Sequence, residues 1–477
     1  NVQNSLFVII KDTIQRFKIN IDLYSDQNIL NLYGNEKIRV INQNPLSYSF
    51  QVKSRSLRFI DEIMTIRQYL EYRDSLKHVY IDSDLLPETV KFAVNVDINN
   101  WNDIMNDLYS KLDQELLPKS SFDIMSYLRQ EIEGITIPQI YFKVAGCWTG
   151  GHEENLRIRA ININVGESDV EWYFVDPKDV ENFRNCLKQK INVDILSQEG
   201  RWYTDISFCL REKIPVAKYI QKPGDTVILK PGCLHWVRSM GPTVNIAWNI
   251  AWPEPQQIRL MYERFIINQS IKYPSLIPFK TLCLDLVNHS KNLNTECKKL
   301  LKIYLEEFLK QEWLTLNSWR DNFPDEILET DDINFNNVLK CSICYNDLLS
   351  LWSVIQRKNE VVILCFECLM KSKFNNKNDK NTKINHYLKF NEKTSENLFK
   401  KFNSSLNTSN SNNNWVLVNK LNKPIMESLA AGSKYLLNSL FNKIANTEIS
   451  KGLKKRQKLN KINEIEIDIE NVIKTLQ

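Results

Sequence analysis

The stretch GGHEENLRIRAININV, residues 150–165, sets His152 and Glu154 two places apart at the mouth of a predicted β-strand. Side chains in a strand repeat every two residues, so this imidazole and carboxylate share one face, as two ligands of a divalent metal would. Alone the pair is weak evidence. The chain has 5 His, and 57 of its 477 residues are acidic. Each His therefore has roughly a 12% chance of an acid two places on, and one such pair somewhere is nearly an even bet. A third ligand is required, and KPGDTVILKPGCLHWV presents His235 just after a Pro-Gly turn. Two His and one carboxylate with three open positions are the arrangement of non-haem Fe(II) oxygenases, in which a co-substrate and dioxygen must both reach the metal. The plain reading of His235 is a core histidine at a strand end. It loses weight because two of only five histidines occupy matching places in one β-rich region. His78, His289 and His386 have no such setting and read as structural or surface residues.

A second constellation lies downstream. CSIC at 341–344 and CFEC at 365–368 place Cys341, Cys344, Cys365 and Cys368 in two Cys-x-x-Cys turns separated by 20 residues. Four thiolates so paired are the recurring ligands of a closed, tetrahedral structural zinc site, and a redox dithiol is the disfavoured alternative. The other six cysteines are scattered without pattern. A secreted disulfide framework belongs to much shorter chains, so the cysteine usage indicates a reducing compartment.

These residues need elements to position them. From 136 to 252 the sequence is a series of short β-rich runs: IPQIYFKVAG, IRAININV, VEWYFV, VAKYIQ, TVILK, LHWVR and TVNIAWNIAW. GESD, KPGD and KPG separate several of them with the Gly, Pro or Asp that tight reversals require. Such a series predicts a barrel or jelly roll, whose later strands return beside earlier ones and can bring His235 to His152. Residues 177–212 are helix-like and read as an insertion between strands. WNDIMNDLYSKLDQEL, QIRLMYERFIINQSI and ECKKLLKIYLEEFLKQEWL carry apolar residues at helical intervals. In VNIAWNIAW, large Val244, Ile246, Trp248 and Ile250 alternate with Asn245, Ala247 and Asn249, which suits a strand lining a cavity. Beyond the cysteine module, FNSSLNTSNSNNNW is a polar low-complexity linker. It is followed by an amphipathic stretch (422–446) and a basic cluster, Lys454, Lys455, Arg456 and Lys458, which reads as a nuclear import signal, a DNA contact or a solvated surface. No internal repeat is present.

The bulk numbers set the frame. A chain with 43% hydrophobic and 10% aromatic residues has a sizeable core, and its length allows two or three domains. No apolar run approaches the roughly 18–20 residues of a bilayer span, and SLFVII is no signal peptide, so no membrane partner is expected. A net charge of +5 does not by itself indicate nucleic acid. The chain begins with Asn, so a fragment or processed product is expected, with N-terminal domains missing.

KVAGCWTGGHEEN, AININVGESDVEWYFV, IQKPGDTVILKPGCLHWV and NIAWNI together resemble the JmjC domain of UTX-type histone lysine demethylases. FAVNVDINNWN resembles that family's strand ahead of the core, and the likeness covers roughly residues 90–375. The resemblance implies a mixed α/β fold: a JmjC double-stranded β-helix (jelly-roll, cupin-like) core with a helical linker and a small four-cysteine zinc-binding domain. The expected boundaries are 1–89 for an N-terminal approach region, mixed or partly irregular, 90–255 for the JmjC domain and 256–335 for the helical linker. A GATA-like four-cysteine zinc domain follows at 336–375, then a low-complexity linker at 376–420 and an amphipathic, basic tail at 421–477. It implies Fe(II) on His152, Glu154 and His235, zinc on the four cysteines, and 2-oxoglutarate on Lys143, Thr149 and Asn162, with Asn245 on the same wall. Tyr141 matches a position lining the methyl-lysine pocket. A dicarboxylate needs a cation and hydrogen-bond donors at its distal end, which Lys143 and Thr149 would supply.

The activity implied is hydroxylation of an N-methyl group on tri- or dimethylated lysine 27 of histone H3, with 2-oxoglutarate decarboxylated and formaldehyde released. Partners would be the H3 tail or nucleosome, and chromatin complexes reached through the missing N-terminal region, in the nucleus. The chain departs from the family in three places. Trp148-Thr149-Gly150-Gly151 replaces the usual Arg-Thr-Pro-Gly, Glu153 replaces the Gln between the ligands, and Ala160 replaces a serine near the cofactor. Two readings stay open beside the first: the same chemistry as a protein hydroxylase or on another lysine, and a catalytically weak chromatin-binding scaffold.

Overall fold

The runs between residues 139 and 250 form strands in two antiparallel sheets. The computed structural model describes residues 6–45, 60–196, 199–289, 293–322, 327–329, 340–357, 360–371 and 382–388. The Asn-rich stretch, the 422–446 segment and the basic cluster lie outside the described residues. Twelve strands build the two sheets: β1 (Phe7–Ile10), β2 (Lys37–Gln43), β3 (Ile60–Thr65), β4 (Val90–Asp97), β5 (Gln139–Lys143), β6 (Trp148–His152), β7 (Arg159–Asn164), β8 (Val170–Val175), β9 (Ala217–Gln221), β10 (Thr226–Leu229), β11 (Leu234–Ser239) and β12 (Thr243–Ile250). One sheet runs β1-β10-β7-β12-β5-β4-β2-β3 and the other β6-β11-β8-β9. Ala160, Val227 and Leu229 of the first pack with Val170, Trp172, Phe174 and Val237 of the second. Two facing sheets with this crossing order are the double-stranded β-helix expected, embedded in a mixed α/β chain.

The alternation in β12 shows why the sheet has a wet side and a dry side. Val244, Ile246, Trp248 and Ile250 join Ile140, Phe142, Ile161 and Ile163 in a core completed by Tyr24, Ile29 and Tyr69 of the N-terminal region. Asn245 and Asn249 point the other way, between the sheets, as the period of two requires. The N-terminal region is thus the outer wall of the large sheet. It also steadies β6. Gln43 accepts from the Trp148 N–H at 3.1 Å and donates to the Trp148 carbonyl at 2.8 Å.

Residues 177–212 hold the helices Val180–Ile191 and Ile206–Arg211, inserted between β8 and β9. Their Phe183, Leu187 and Phe208 bury the outer face of the second sheet against Trp148, Tyr173 and Trp236. Three helices follow β12: Pro255–Ile271, Phe279–His289 and Thr295–Asn322. The first opens with proline, whose fixed φ and missing N–H suit a first helical turn. Polar contacts tie the cysteine module to these helices. Asp347 accepts from the Thr281 N–H at 3.0 Å, and Lys340 donates to the carbonyls of Ser275 and Leu276 at 3.1 and 3.0 Å.

The module's sheet runs Ile327–Glu329, Thr382–Leu388, Leu351–Arg357, Glu360–Leu364. Two of these strands lie outside the span expected for the module. Ile327–Glu329 falls in the stretch expected as helical linker, and Thr382–Leu388 in the stretch expected as low-complexity linker. Lysine- and asparagine-rich flanks hid the second, which pairs along its whole length with Leu351–Arg357. No described helix is long and apolar enough to cross a membrane.

Candidate active site

His152 and His235 stand directly opposite each other on β6 and β11, their ring centroids 4.3 Å apart. β6 ends at His152, and Glu154 continues in extended backbone before a short turn. One ligand atom from each of His152, Glu154 and His235 falls within 4.8 Å of the others. Glu154 Oε1 lies 3.9 Å from His152 Nε2 and 3.5 Å from His235 Nε2. In each histidine Nδ1 faces a backbone carbonyl: Gly150 at 2.8 Å for His152 and Cys233 at 3.2 Å for His235. Nδ1 must then carry the proton, which leaves both Nε2 lone pairs free to ligate. Burial holds the His235 pKa well below its ordinary value, with the neighbouring His152 adding to the effect. Neutral imidazole is the form a metal takes. The other Glu154 oxygen accepts from Asn249 Nδ2 at 3.0 Å.

The approach to this loop explains its glycines. A Cβ on Gly151 would sit 2.0 Å from the buried Trp202 ring, and one on Gly150 would sit 2.2 Å from the Gly200 carbonyl oxygen. The 199–202 segment bonds along β6, with Gly200 N–H to Gly151 O at 2.9 Å and Gly151 N–H to Trp202 O at 2.8 Å. A Gly151→Ala chain is expected to lose about 1–3 kcal/mol of stability through overpacking and to bind metal more weakly, because His152 is displaced. Denaturant unfolding and a metal titration check this, and unchanged values in both would contradict it.

Cross-strand register places the remaining candidates. Directly opposite residues of an antiparallel pair share a face. Asn245 is opposite Tyr141 and Asn164, Ala247 opposite Gln139 and Asn162, and Asn249 opposite Ala160. Lys143 is two residues along from Tyr141 and on the same inward face. On the second sheet a bulge separates the His235↔His152 and Val237↔Thr149 pairs, and its extra residue keeps Thr149 on the side of His152. The structure therefore lines one interior with Tyr141, Lys143, Thr149, Asn162, Asn245 and the three metal-binding candidates.

Within that interior Lys143 is unusual. It is 4% exposed, and its ammonium makes no hydrogen bond or ion pair among the described residues, only cation–π approaches to Phe92 and Tyr141 at 5.3 and 5.9 Å. Burial pushes its pKa down to about 8. Asn245 donates to Asn162 Oδ1 at 2.9 Å, while its own buried Oδ1 has no partner. An unpaired buried ammonium is costly, and an anion seated there would remove the cost. The residues fit a carboxylate ligand. Ala160 leaves the wall at its position without a hydroxyl; its methyl lies among Trp172, Phe174 and Val227.

Three contributors were not singled out from the sequence. Asn249 orients Glu154. Gln221 donates to the Asn162 carbonyl at 2.9 Å and accepts from Trp172 Nε1 at 2.9 Å. Trp172 stacks on His235 with centroids 5.7 Å apart. The inward alternation of β12 was the signal for Asn249. Gln221 and Trp172 carry none, because only the folded register brings them there.

The four cysteines form the second group whose ligand atoms converge within 4.8 Å. Cys344 Sγ and Cys365 Sγ are 3.8 Å apart. A disulfide is excluded at that distance, whereas a tetrahedral site with Zn–S bonds of about 2.3 Å requires sulfurs about 3.8 Å apart. The site fits zinc.

Residues 139–250 match the family profile described as the JmjC domain, hydroxylase. Lysine-specific demethylase 6B of Homo sapiens is 30% identical over 224 residues, 46% of this chain and 13% of that protein. Lysine-specific demethylase jmjd-3.1 of Caenorhabditis elegans is 30% identical over 177 residues, 35% of this chain and 16% of its own length. Lysine-specific demethylase REF6 of Arabidopsis thaliana is 25% identical over 181 residues, 36% of this chain and 13% of that protein. The matched region is thus a small part of each relative. These matches bear out the resemblance read from the motifs. Residues 139–250 are a JmjC domain, a 2-oxoglutarate-dependent dioxygenase fold in which His152, Glu154 and His235 converge as metal-ligand candidates, and the chain is similar over less than half its length to UTX-type lysine demethylases.

Proposed function

We propose that the chain is an Fe(II)- and 2-oxoglutarate-dependent histone demethylase acting on tri- and dimethylated lysine 27 of histone H3, on chromatin in the nucleus. One observation carries the reading: an open three-ligand set and an unpaired buried lysine share one interior of a JmjC domain. Iron and 2-oxoglutarate, when bound, would let dioxygen act as the oxidant: one oxygen atom goes to succinate as carbon dioxide leaves, the other hydroxylates an N-methyl group, and the hemiaminal formed then releases formaldehyde. His152, Glu154 and His235 hold the metal and leave its other positions open. Lys143 pairs with the distal carboxylate of 2-oxoglutarate, with Thr149, Asn162 and Asn245 as hydrogen-bonding neighbours. Tyr141 presents an aromatic wall beside Glu154, and such a face attracts a methylated ammonium. Breaking a C–H bond of the methyl group needs no nitrogen lone pair, so a trimethylated lysine is an acceptable substrate. The zinc module contacts H3 residues away from the methyl-lysine.

The choice of lysine is tested by mass spectrometry of H3 peptides trimethylated at lysine 4, 9, 27 or 36, incubated with the protein, Fe(II), ascorbate and 2-oxoglutarate. Successive losses of about 14 Da, one methylene each, on the lysine 27 peptide alone are expected. Losses on another peptide would move the substrate and keep the chemistry.

A further inference from the structure

Glu153 lies between two metal-ligand candidates, yet its side chain turns away from them. It is 7% exposed and accepts from Arg157 Nε at 3.2 Å and from Arg264 Nη1 at 2.6 Å. Arg264, 3% exposed, comes from the helix Pro255–Ile271, far downstream in the chain. It also takes Glu199, at 2.9 Å, whose carboxylate accepts from the Glu153 N–H at 3.3 Å. The same helix presses on the loop at a second point. Gln257, two turns before Arg264 and so on one stripe with it, donates to the Arg157 carbonyl at 3.2 Å. There Leu156 and Arg157 both sit in the left-handed region, at φ 48° and 56°, a conformation that non-glycine residues hold only when their surroundings impose it.

Arg264 is itself held. Its Nε donates to Asn268 Oδ1 at 2.8 Å, and Asn268 Nδ2 donates to Ser275 Oγ at 2.8 Å. The Ser275 carbonyl takes Lys340, the residue next to Cys341. A run of polar contacts thus leads from the residue between His152 and Glu154 to the flank of the zinc module. At its start Glu153 and Arg264 are charged and buried, and a charge pair in such a place costs most when one partner is lost.

We propose that Arg264 is a positioning residue for the metal site: by pairing the buried Glu153 carboxylate it fixes the backbone that carries His152 and Glu154. This rests on those residues, with His235, being metal ligands. Without Arg264, Glu153 keeps a buried charge with half its compensation gone. The loop then shifts toward water and the ligand set opens. If the charge is what matters, removing it from Glu153 as well restores the loop.

The test is a Mn(II) titration followed by electron paramagnetic resonance on the zinc-loaded full chain, with thermal melting of each variant. Manganese prefers nitrogen and oxygen ligands and leaves a thiolate zinc site alone. His235→Ala is the control for the site. Arg264→Met is expected to weaken binding about 10- to 100-fold, the range for loss of a residue supporting metal ligands. Arg264→Lys, which keeps the charge, should lose less. Glu153→Gln with Arg264→Met should recover most of the affinity and restore the wild-type spectrum. Wild-type affinity in Arg264→Met would overturn the proposal while leaving the metal site standing. Weak binding in Arg264→Met that Glu153→Gln does not rescue would also overturn it, since Arg264 would then act through general stability. Equal binding by wild type and His235→Ala would overturn the metal site itself, and the proposal with it.

Discussion

Replacing His235 with alanine is expected to abolish turnover, by at least about 1,000-fold, while leaving the zinc module loaded. The metal contributes several kcal/mol to catalysis, and each 1.4 kcal/mol is a factor of about ten. His235 is the buried member of the candidate ligand set, its Nδ1 already committed to the Cys233 carbonyl and its ring packed on Trp172. No other described histidine, cysteine or acid joins His152 and Glu154 within ligand distance, so no substitute is at hand. Metal analysis should find zinc retained and iron lost. Retention of both turnover and iron in the variant would mean that the ligand set has been misassigned.

Lys143→Met is the second large effect, and it has two opposite signs. Activity should fall because the KM for 2-oxoglutarate rises about 100-fold, the consequence of leaving one carboxylate of a buried pair unmatched. Stability should rise. The Lys143 pKa is held at about 8 against an ordinary 10.5, so between those values the unfolded chain binds more protons than the folded one. Folding stability therefore increases with pH across that window, and below about pH 8 the cost of the buried ammonium is present in full. Removing it should stabilise the protein at pH 7, in the absence of any anion, by on the order of 3 kcal/mol. The same titration makes the wild type bind 2-oxoglutarate less well as pH rises past about 8, since the neutral amine cannot pair. Thermal melts of both chains at pH 7 and pH 9, with a KM at each, check all three. A destabilised Lys143→Met chain with unchanged KM would contradict the assignment.

Local pattern accounts for what could be read in advance. Alternation in VNIAWNIAW separated the dry face of β12 from its wet face, and the structure places Val244, Ile246, Trp248 and Ile250 in the core. The Pro-Gly turn before His235 and the paired Cys-x-x-Cys turns were equally legible, because turn chemistry and ligand spacing are short-range properties. What escaped is what only three dimensions create. Trp202 reaches Gly151 from the inserted 177–212 region and forbids any side chain there. Arg264 reaches Glu153 from a helix whose sequence shows only an apolar periodicity. Thr382–Leu388 becomes a strand because Leu351–Arg357 offers it an edge, against the tendency of its lysine- and asparagine-rich flanks. Phe7, in the approach region expected to be mixed or partly irregular, stacks on Phe174 at 4.1 Å and brings β1 against the barrel.

The most direct measurement counts products against methyl groups. The zinc-loaded chain, Fe(II), ascorbate and 2-oxoglutarate would be incubated with a trimethyl-lysine 27 H3 peptide, and succinate, formaldehyde and peptide mass followed together. The predicted result is one succinate and one formaldehyde for each methyl lost, with all three absent in His235→Ala. Succinate without formaldehyde, accompanied by a stable gain of one oxygen on the peptide, would contradict demethylation and identify a hydroxylase. No product from a folded, zinc-loaded chain would contradict the enzyme reading and leave a chromatin-binding scaffold in its place.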